Sequence, residues 1–117
     1  MASIEELMRG NLLDVFNERD GDRRRAAIAR IYAPEVRFSD PDETVVGHQA
    51  LDAKAQHILD GAPGFVFRPD GPIRVSDDLG YLAWQFGPAG EAVVRGVDIA
   101  TVADGVITRV YTFLITE

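Results

Sequence analysis

The sequence predicts an α+β fold in which helices pack on a curved antiparallel sheet, and the sheet encloses a small-molecule pocket. Two patterns support this fold. Apolar residues recur at helical spacing through most of the first 60 positions, and from Phe65 onward they alternate as in strands. Short turn signals join the later strands, which indicates antiparallel hairpins. A chain of 117 residues without cysteine is expected to form a single domain, residues 1–117, that folds without a disulfide or a metal ion.

The first helix is predicted from a capping box and an apolar face. Ser3 and Glu6 have the spacing at which the hydroxyl and the carboxylate each accept a hydrogen bond from an amide of the other residue. Asn11 falls on the apolar face, either as a core amide with satisfied hydrogen bonds or as part of a cavity wall. The apolar residues of this face are Ile4, Leu7, Met8, Leu12, Val15 and Phe16.

Two further helices follow. Asp20-Gly21-Asp22 ends the first helix and caps the second, and Pro34 is expected to end the second. The third helix is predicted at residues 49–60, with the glycines and proline of residues 61–64 behind it. His57 lies beside its inward stripe, which favours a surface or rim histidine over a catalytic base.

The remaining segments have strand character. A strand after Pro34 places Val36, Phe38 and Asp40 on one face, and residues 45–47 form a short extended segment. Residues 65–75 are extended but interrupted by prolines, hence bent. Longer strands are predicted at 79–86, 93–102 and 106–116, with a tight hairpin at Asp104-Gly105. A long bent sheet around helices leaves a wedge-shaped interior that suits a ligand.

Composition excludes several classes of function. The chain has 12 basic and 19 acidic residues, a net charge of −7, which disfavours binding to nucleic acid. The basic run at residues 23–25 lies beside Asp20 and Asp22 and is expected to be a solvated helix face. His48 and His57 are too far apart in sequence for a helical metal pair, and we expect no metal and no organic cofactor. An acidic N-terminus and the absence of a run of ~20 apolar residues predict a cytoplasmic protein that does not contact membranes.

Two aspartates interrupt the apolar pattern of strands and are the candidate catalytic residues. Asp40 extends the inward face of its strand, and Asp98 lies in mid-strand between the small residues Gly96 and Ala100. A carboxyl in an apolar cavity has a raised pKa and can donate or accept a proton. The structural alternatives are that Asp40 caps the turn at Pro41 and that Asp98 pairs with an arginine such as Arg68 or Arg109.

Aromatic side chains supply the candidate ligand-binding residues. Trp84 is either plain core or a pocket wall. Each tyrosine needs a hydrogen-bond partner if it is buried, or reaches solvent with its hydroxyl. The expected ligand-binding set is Asn11, Tyr32, Phe38, Trp84 and Tyr111.

Six segments taken together resemble the nuclear transport factor 2-like superfamily in its SnoaL-like branch, across nearly the whole chain. They are YAPEVRFSDP at 32–41, VGHQAL at 46–51, PGF at 63–65, WQFGP at 84–88, GVD at 96–98 and DGVI at 104–107. The resemblance implies a cone-shaped barrel around about three helices, with a hydrophobic cavity at its open end. It also implies a homodimer packed through the outer sheet. Known members include ketosteroid isomerases, polyketide cyclases, epoxide hydrolases and dehydratases, so the fold does not fix the activity.

The resemblance also suggests roles for single residues. Asp40 is similar in position to the proton-shuttling aspartate of ketosteroid isomerases. Asp98 is similar to the protonated aspartate of their oxyanion hole, a carboxylic acid that stays neutral in its apolar site, and to the acid–base aspartate of SnoaL-like cyclases. The first helix departs from the isomerases, because Leu12 stands where they present a tyrosine, with Asn11 and Phe16 nearby. An oxyanion hole lacking one donor loses roughly 10²–10³-fold in rate, so ketosteroid isomerase activity is not expected. The Asp-Arg-Asp set of epoxide hydrolases is not evident.

Three hypotheses follow. In the first, the protein is an acid–base enzyme without a metal, isomerase-, cyclase- or lyase-like, acting on a compact apolar carbonyl compound. Asp98 binds or protonates the oxygen, Asp40 moves a proton α to it, and Trp84, Tyr32 and Phe38 shape the cavity. In the second, the same pocket binds a small molecule without changing it. In the third, the domain is a structural dimerisation unit with a closed interior and both aspartates paired with arginines.

Overall fold

The structure, a computed structural model, describes residues 1–115 and places its helices in the first half of the chain. α1 (Ile4–Gly10) runs directly into a π-helical segment (Asn11–Phe16). α2 covers Gly21–Ile31 and α3 covers His48–Asp60. None of these helices is long and apolar enough to cross a membrane.

The predicted helix starts are confirmed by their hydrogen bonds. The Ser3 hydroxyl accepts from the Glu6 amide at 3.1 Å, and the Glu6 carboxylate accepts from the Ser3 amide at 3.2 Å. Asp20 caps α2 by accepting from the Asp22 amide at 2.9 Å and the Arg23 amide at 3.3 Å. Both starts therefore depend on short-range side-chain chemistry that is visible in the sequence.

The end of α2 differs from the prediction. α2 stops at Ile31 and Tyr32 is already extended, so Pro34 lies inside the first strand rather than at a helix end. The residue before a proline resists the helical conformation, and the chain changes to strand one residue earlier still. The pairing of this strand shifts register between Tyr32 and Arg37, and such an irregularity accommodates a residue without an amide hydrogen.

Seven strands form one curved sheet within the described residues. They are β1 (Tyr32–Ser39), β2 (Thr44–Val46), β3 (Val66–Pro69), β4 (Arg74–Ser76), β5 (Leu79–Gly87), β6 (Val94–Ala103) and β7 (Val106–Leu114). The sheet order is β2-β1-β7-β6-β5-β3, with β4 also paired to β5. Since this order has two free ends, the sheet curves without closing into a complete barrel. The predicted last strand extended to Thr116, which lies outside the described residues.

The sheet is mixed, whereas the sequence predicted an antiparallel one. Among the pairings of residues 1–115, five are antiparallel and one, between β1 and β7, is parallel. Turn signals report the direction only of strands joined by hairpins, and β1 and β7 are far apart in sequence. The direction of their pairing is therefore set by the complete fold.

The hairpin between β6 and β7 contains an irregularity that affects the site. Asp104 and Gly105 both have positive φ, 54° and 78°, as the predicted two-residue turn requires. The register then shifts between Thr101 and Val102, so that β7 carries one extra residue, Thr108. The Thr108 hydroxyl lies 2.8 Å from the Thr101 hydroxyl and stabilises the bulge.

The core lies between the helices and the inner face of the sheet. Register fixes which residues share that face: Leu82, Asp98 and Thr112 are aligned across β5, β6 and β7. The largest fully buried apolar side chains are Tyr32, Leu7, Met8, Leu12, Ile28, Ile31, Leu51, Leu59, Leu82, Ile107 and Val15. The outer face of the same strands carries Tyr111 and Phe113, which are exposed.

Candidate functional site

A cavity of about 370 Å³ opens between the helices and the inner face of the sheet. Its buried lining consists of Leu12, Phe16, Phe38, Phe67, Trp84, Phe86 and Asp98. The polar groups at its exposed end, which we call the mouth, are Asp40, Asp42, Glu43, Lys54 and His57. His57 is exposed there, as expected for a rim histidine.

Aromatic rings form most of the apolar wall. Phe16 of the π-helical segment stacks on Phe38 of β1 with ring centroids 5.1 Å apart. Phe67 of β3 stacks on Phe86 at 4.0 Å and meets the edge of Trp84 at 5.2 Å. These contacts join helix and sheet, so the wall belongs to the packed core and its shape is fixed before a ligand enters.

Asp98 lies at the buried end of the cavity and is 4% exposed. Its Oδ1 accepts from the Thr112 hydroxyl at 2.7 Å and from the Trp84 indole nitrogen at 3.0 Å. Its Oδ2 accepts from the Asn11 amide at 2.8 Å. All three donors are uncharged. The arginine partners considered from the sequence lie elsewhere: Arg68 and Arg109 occupy positions on the outer face.

A glycine holds Trp84 in contact with Asp98. A Cβ atom at Gly96 would lie 2.3 Å from the Trp84 ring, so the indole lies directly across this glycine. Gly96 and Trp84 are paired across β6 and β5, two positions from Asp98. The small residue noted in the sequence thus makes room for a ring that donates to the carboxyl.

Asn11 and Tyr32 are placed behind Asp98, outside the cavity lining. Asn11 is 1% exposed and its side-chain oxygen accepts from the Tyr32 hydroxyl at 2.5 Å. The π-helical segment carries Asn11 towards the sheet, and π-helical turns frequently mark functional sites. A continuous chain of hydrogen bonds therefore runs from Tyr32 through Asn11 to Asp98.

Burial is the largest influence on the pKa values of the two titratable groups in this hydrogen-bond chain, Asp98 and Tyr32. It raises the pKa of Asp98, although hydrogen bonds from Thr112, Trp84 and Asn11 act in the opposite direction. It also raises the pKa of Tyr32 far above its ordinary value, with a further contribution from the Asp98 charge. Tyr32 therefore keeps its proton, while Asp98 is the group here whose protonation state can change.

Asp40 has a different environment in the turn after β1. Its Oδ1 accepts from the amides of Asp42 at 2.9 Å and Glu43 at 3.0 Å, and its Oδ2 lies 2.6 Å from Lys54 Nζ. Burial alone would raise the pKa of Asp40, but the hydrogen bonds from Lys54, Glu43 and Asp42 together outweigh burial and lower it. Asp40 both caps the turn and lines the mouth, so the two alternatives from the sequence are compatible.

Tyr111, unlike the other expected ligand-binding residues, neither lines the cavity nor belongs to the hydrogen-bond chain that leads to Asp98. It is 38% exposed on the outer face of β7, where its hydroxyl accepts from Arg109 at 3.2 Å. A regular two-residue hairpin would align Tyr111 with Asp98, but the bulge at Thr108 aligns Thr112 instead. Phe38 and Trp84 line the cavity as expected.

Sequence reasoning missed Thr112 and Lys54. The bulge that brings Thr112 to Asp98 has no clear local signal. Lys54 meets Asp40 only because α3 packs against the turn after β1, and it also contacts Glu43 at 2.9 Å. Within residues 1–115, no three His, Asp or Glu side chains lie close enough together to hold a metal ion.

Comparison with known proteins gives family and structural matches. The SnoaL-like domain family matches residues 11–110. A candidate isomerase of the SnoaL-like family from Agrobacterium tumefaciens has a TM-score of 0.87 at 26% identity, covering 94% of this chain and 95% of that one. A candidate SnoaL-like polyketide cyclase from Jannaschia has a TM-score of 0.73 at 21% identity, covering 97% and 89%. A candidate ketosteroid isomerase from Kribbella flavida has a TM-score of 0.74 at 21% identity, covering 97% and 78%. No curated protein matches in sequence.

Proposed function

Because the chain belongs to the SnoaL-like domain family, we propose that it binds a compact, mostly apolar carbonyl compound and that Asp98 exchanges a proton with the oxygen of that compound. The reaction is an isomerisation, cyclisation or elimination without a cofactor. The observation that carries the proposal is a nearly fully buried carboxyl at the end of a ligand-sized cavity. A carboxyl with a raised pKa in such a place is suited to acid–base chemistry.

The dimensions and walls of the cavity support a small apolar ligand. Its volume of about 370 Å³ is towards the lower end for ligand sites, which run from about 300 to 1,000 Å³. Its buried lining has Asp98 as the one ionisable side chain among apolar and aromatic neighbours. A compact ring system would be desolvated by these walls, with its oxygen directed to the carboxyl.

The charges at the mouth favour a neutral ligand over an anionic one. Three carboxylates, Asp40, Asp42 and Glu43, face one lysine, Lys54, which is ion-paired with two of them. The lysine is therefore already neutralised, and an entering carboxylate or phosphate would meet a net negative field. We accordingly exclude phosphorylated and carboxylic acid substrates from the proposal.

The two aspartates divide the proton chemistry in this proposal. Asp98 hydrogen-bonds or protonates the carbonyl oxygen, and Asp40 accepts a proton from the adjacent carbon. The lowered pKa of Asp40 makes it a weak base, which suffices only for an acidic C–H bond. A substrate with a second carbonyl β to the first, such as a β-dicarbonyl compound, meets this requirement.

The test is turnover of neutral β-dicarbonyl compounds and cyclic enones by the wild type and by Asp98→Asn. We expect Asp98→Asn to lower kcat by at least ~10²-fold while binding persists, because asparagine keeps the shape but holds no transferable proton. Asp42→Asn, at the exposed mouth, is the matched control and should retain wild-type kcat. Unchanged turnover in Asp98→Asn would remove the acid–base assignment.

A non-catalytic binding module is the second candidate, and Leu12 favours it. This residue lines the pocket from the π-helical segment and has no hydrogen to donate to a ligand oxygen. In that case the same compounds bind saturably, Asp98→Asn changes their affinity, and no product forms in the presence of any of them.

We also propose that a second copy of the chain covers the outer face of the sheet. Phe113 is 53% exposed there and Tyr111 38%. The two residues are two positions apart in β7, so their side chains point to the same face of the sheet. Exposed aromatic side chains in a row are typical of a protein–protein interface. The self-complementary arrangement of two identical faces would give a two-fold dimer.

A further inference from the structure

The two oxygens of Asp98 face different surroundings. Both partners of Oδ1, Trp84 and Thr112, line the cavity. The partner of Oδ2 is Asn11, which is 1% exposed and belongs to the buried chain that leads to Tyr32. Oδ1 is therefore the oxygen on the side of the cavity, and Oδ2 is the oxygen on the side of the core.

The hydrogen-bond directions on the core side are fixed. The buried Tyr32 hydroxyl keeps its proton and donates it to the Asn11 oxygen. The Asn11 amide nitrogen must then face Asp98, because the two ends of one amide have opposite hydrogen-bonding roles. Oδ2 therefore receives a hydrogen bond in either protonation state of the carboxyl.

On the cavity side, one partner is fixed and the other is reversible. The Trp84 indole can only donate to Oδ1. The Thr112 hydroxyl can donate or accept, and at 2.7 Å from Oδ1 it is within range for either direction. Thr112 is also half-buried and lines the cavity, so a rotation of its hydroxyl hydrogen turns it from the carboxyl towards a bound molecule.

We propose, on the basis of the proposed function, that Thr112 is the proton relay between Asp98 and the oxygen of the bound molecule. In the forward step, the ligand oxygen takes the hydroxyl hydrogen of Thr112 while the Thr112 oxygen takes the carboxyl proton from Oδ1. Asp98 becomes a carboxylate, Thr112 ends as a neutral hydroxyl that donates to Oδ1, and the ligand oxygen gains one proton. The reverse step restores the starting state, so atoms and charge balance.

A spectroscopic reporter allows the relay to be tested without a known substrate. Trp84 is the single tryptophan of the chain, and its indole N–H donates to the same oxygen as Thr112. The ¹H–¹⁵N signal of this indole should follow the charge on Asp98 through a pH titration. Asp98→Asn should abolish that titration. The other titratable groups around the cavity are Asp40, Asp42, Glu43, Lys54 and His57 at the mouth and Tyr32 behind Asp98.

The critical comparison is between Thr112→Val and Thr112→Ser. Valine keeps the shape and removes the hydroxyl, so the ionised form of Asp98 loses a hydrogen bond and the indole titration should move upward by about one pH unit. Serine keeps the hydroxyl and should leave the midpoint close to wild type. His57→Gln, measured in parallel, removes the rim imidazole as another source of change in the indole signal. Thermal unfolding of each variant checks that the fold is retained.

Turnover gives the second measurement. With a compound that the wild type converts, Thr112→Val should lower kcat at least tenfold and leave KM within about threefold, and Thr112→Ser should restore kcat. A shifted indole titration with unchanged kcat overturns the relay, as does an unshifted titration in Thr112→Val. Failure of the proposed function gives a different result. In that case Asp98→Asn is as active as the wild type, whatever the Thr112 variants do.

Discussion

At the scale of single residues, Asp98 and Asp40 show how surroundings give one side-chain type two behaviours. Asp98 is held by three neutral donors and is almost fully buried, which favours its protonated form. Asp40 is held by Lys54 and two backbone amides, which favour its charged form. The pair thus resembles other sites in which two carboxyls are driven to opposite protonation preferences, the usual basis for an acid and a base acting together.

The two pKa shifts predict opposite effects of pH on stability. The native pKa of Asp98 lies above the ordinary 3.8, so its contribution is fully present below 3.8 and is lost as pH rises through the native value. The native pKa of Asp40 lies below 3.8, so its contribution is present above 3.8 and is lost as pH falls through the native value. Urea unfolding across pH measures both.

The matched variants for this measurement are Asp98→Asn and Asp40→Asn. From pH 3.8 upward, the unfolding free energy of Asp98→Asn should rise relative to wild type. From pH 3.8 downward, the deficit of Asp40→Asn relative to wild type should shrink. For each variant the quantity to follow is its unfolding free energy minus that of the wild type. If these two quantities changed with pH in the same direction, the assigned environments of Asp98 and Asp40 would be contradicted.

At the scale of elements, a buried arginine of α2 binds side chains of α3. α3 also carries Lys54 and His57, two of the residues at the mouth of the cavity. Arg24 is 1% exposed and its guanidinium contacts Asp52 at 2.6 Å, Gln56 at 2.5 Å and the Glu18 carbonyl at 2.7 Å. The basic run that sequence reasoning assigned to a solvated face therefore has one member in the interior. Periodicity alone places it there, because Arg24 falls on the same helix side as Ala27 and Ile28.

Arg24→Met should destabilise the protein by about 3 kcal/mol, since it removes the donor to the Gln56 side-chain oxygen and the Glu18 carbonyl and leaves Asp52 only its longer contact with Arg25 at 3.5 Å. Thermal and urea unfolding measure this cost. Arg23→Met is the matched control, because the Arg23 side chain is 78% exposed with its carboxylate partner 3.9 Å away. The control should change stability by less than about 0.5 kcal/mol. Equal effects of both substitutions would exclude an interhelical role for Arg24.

At the scale of the whole molecule, the proposed dimer makes a direct prediction. Phe113→Glu places a charge in the exposed aromatic row of β7 and should convert a dimer to a monomer, as measured by sedimentation velocity. Val93→Glu is the control, because Val93 is 57% exposed but lies in the loop before β6. A wild-type protein that sediments as a monomer at micromolar concentration would refute the dimer.

The sequence was sufficient for features that depend on neighbouring residues. The α+β order, the caps at Ser3 and Asp20 and the turn at Asp104-Gly105 are all encoded within a few positions. The inward position of Asp98 followed from strand alternation. Features that join distant segments were not predictable this way: the parallel β1–β7 pair and the contact between Lys54 and Asp40 depend on how the whole chain folds back.

The bulge in β7 has a consequence for how this pocket can diversify. Because side chains alternate between the faces of a strand, one additional residue determines which neighbour looks inward. Deletion of Thr108 would remove the bulge but leave Thr112 opposite Asp98, because Arg109 would then follow Ile107 directly and still pair with Thr101. Insertion of one residue after Arg109 would instead move the following residues on by one position, turn them to the opposite face and bring the phenol of Tyr111 opposite Asp98. A single in-frame insertion would thus exchange an aliphatic hydroxyl for a more acidic one beside the same carboxyl, without changing any residue of the helices.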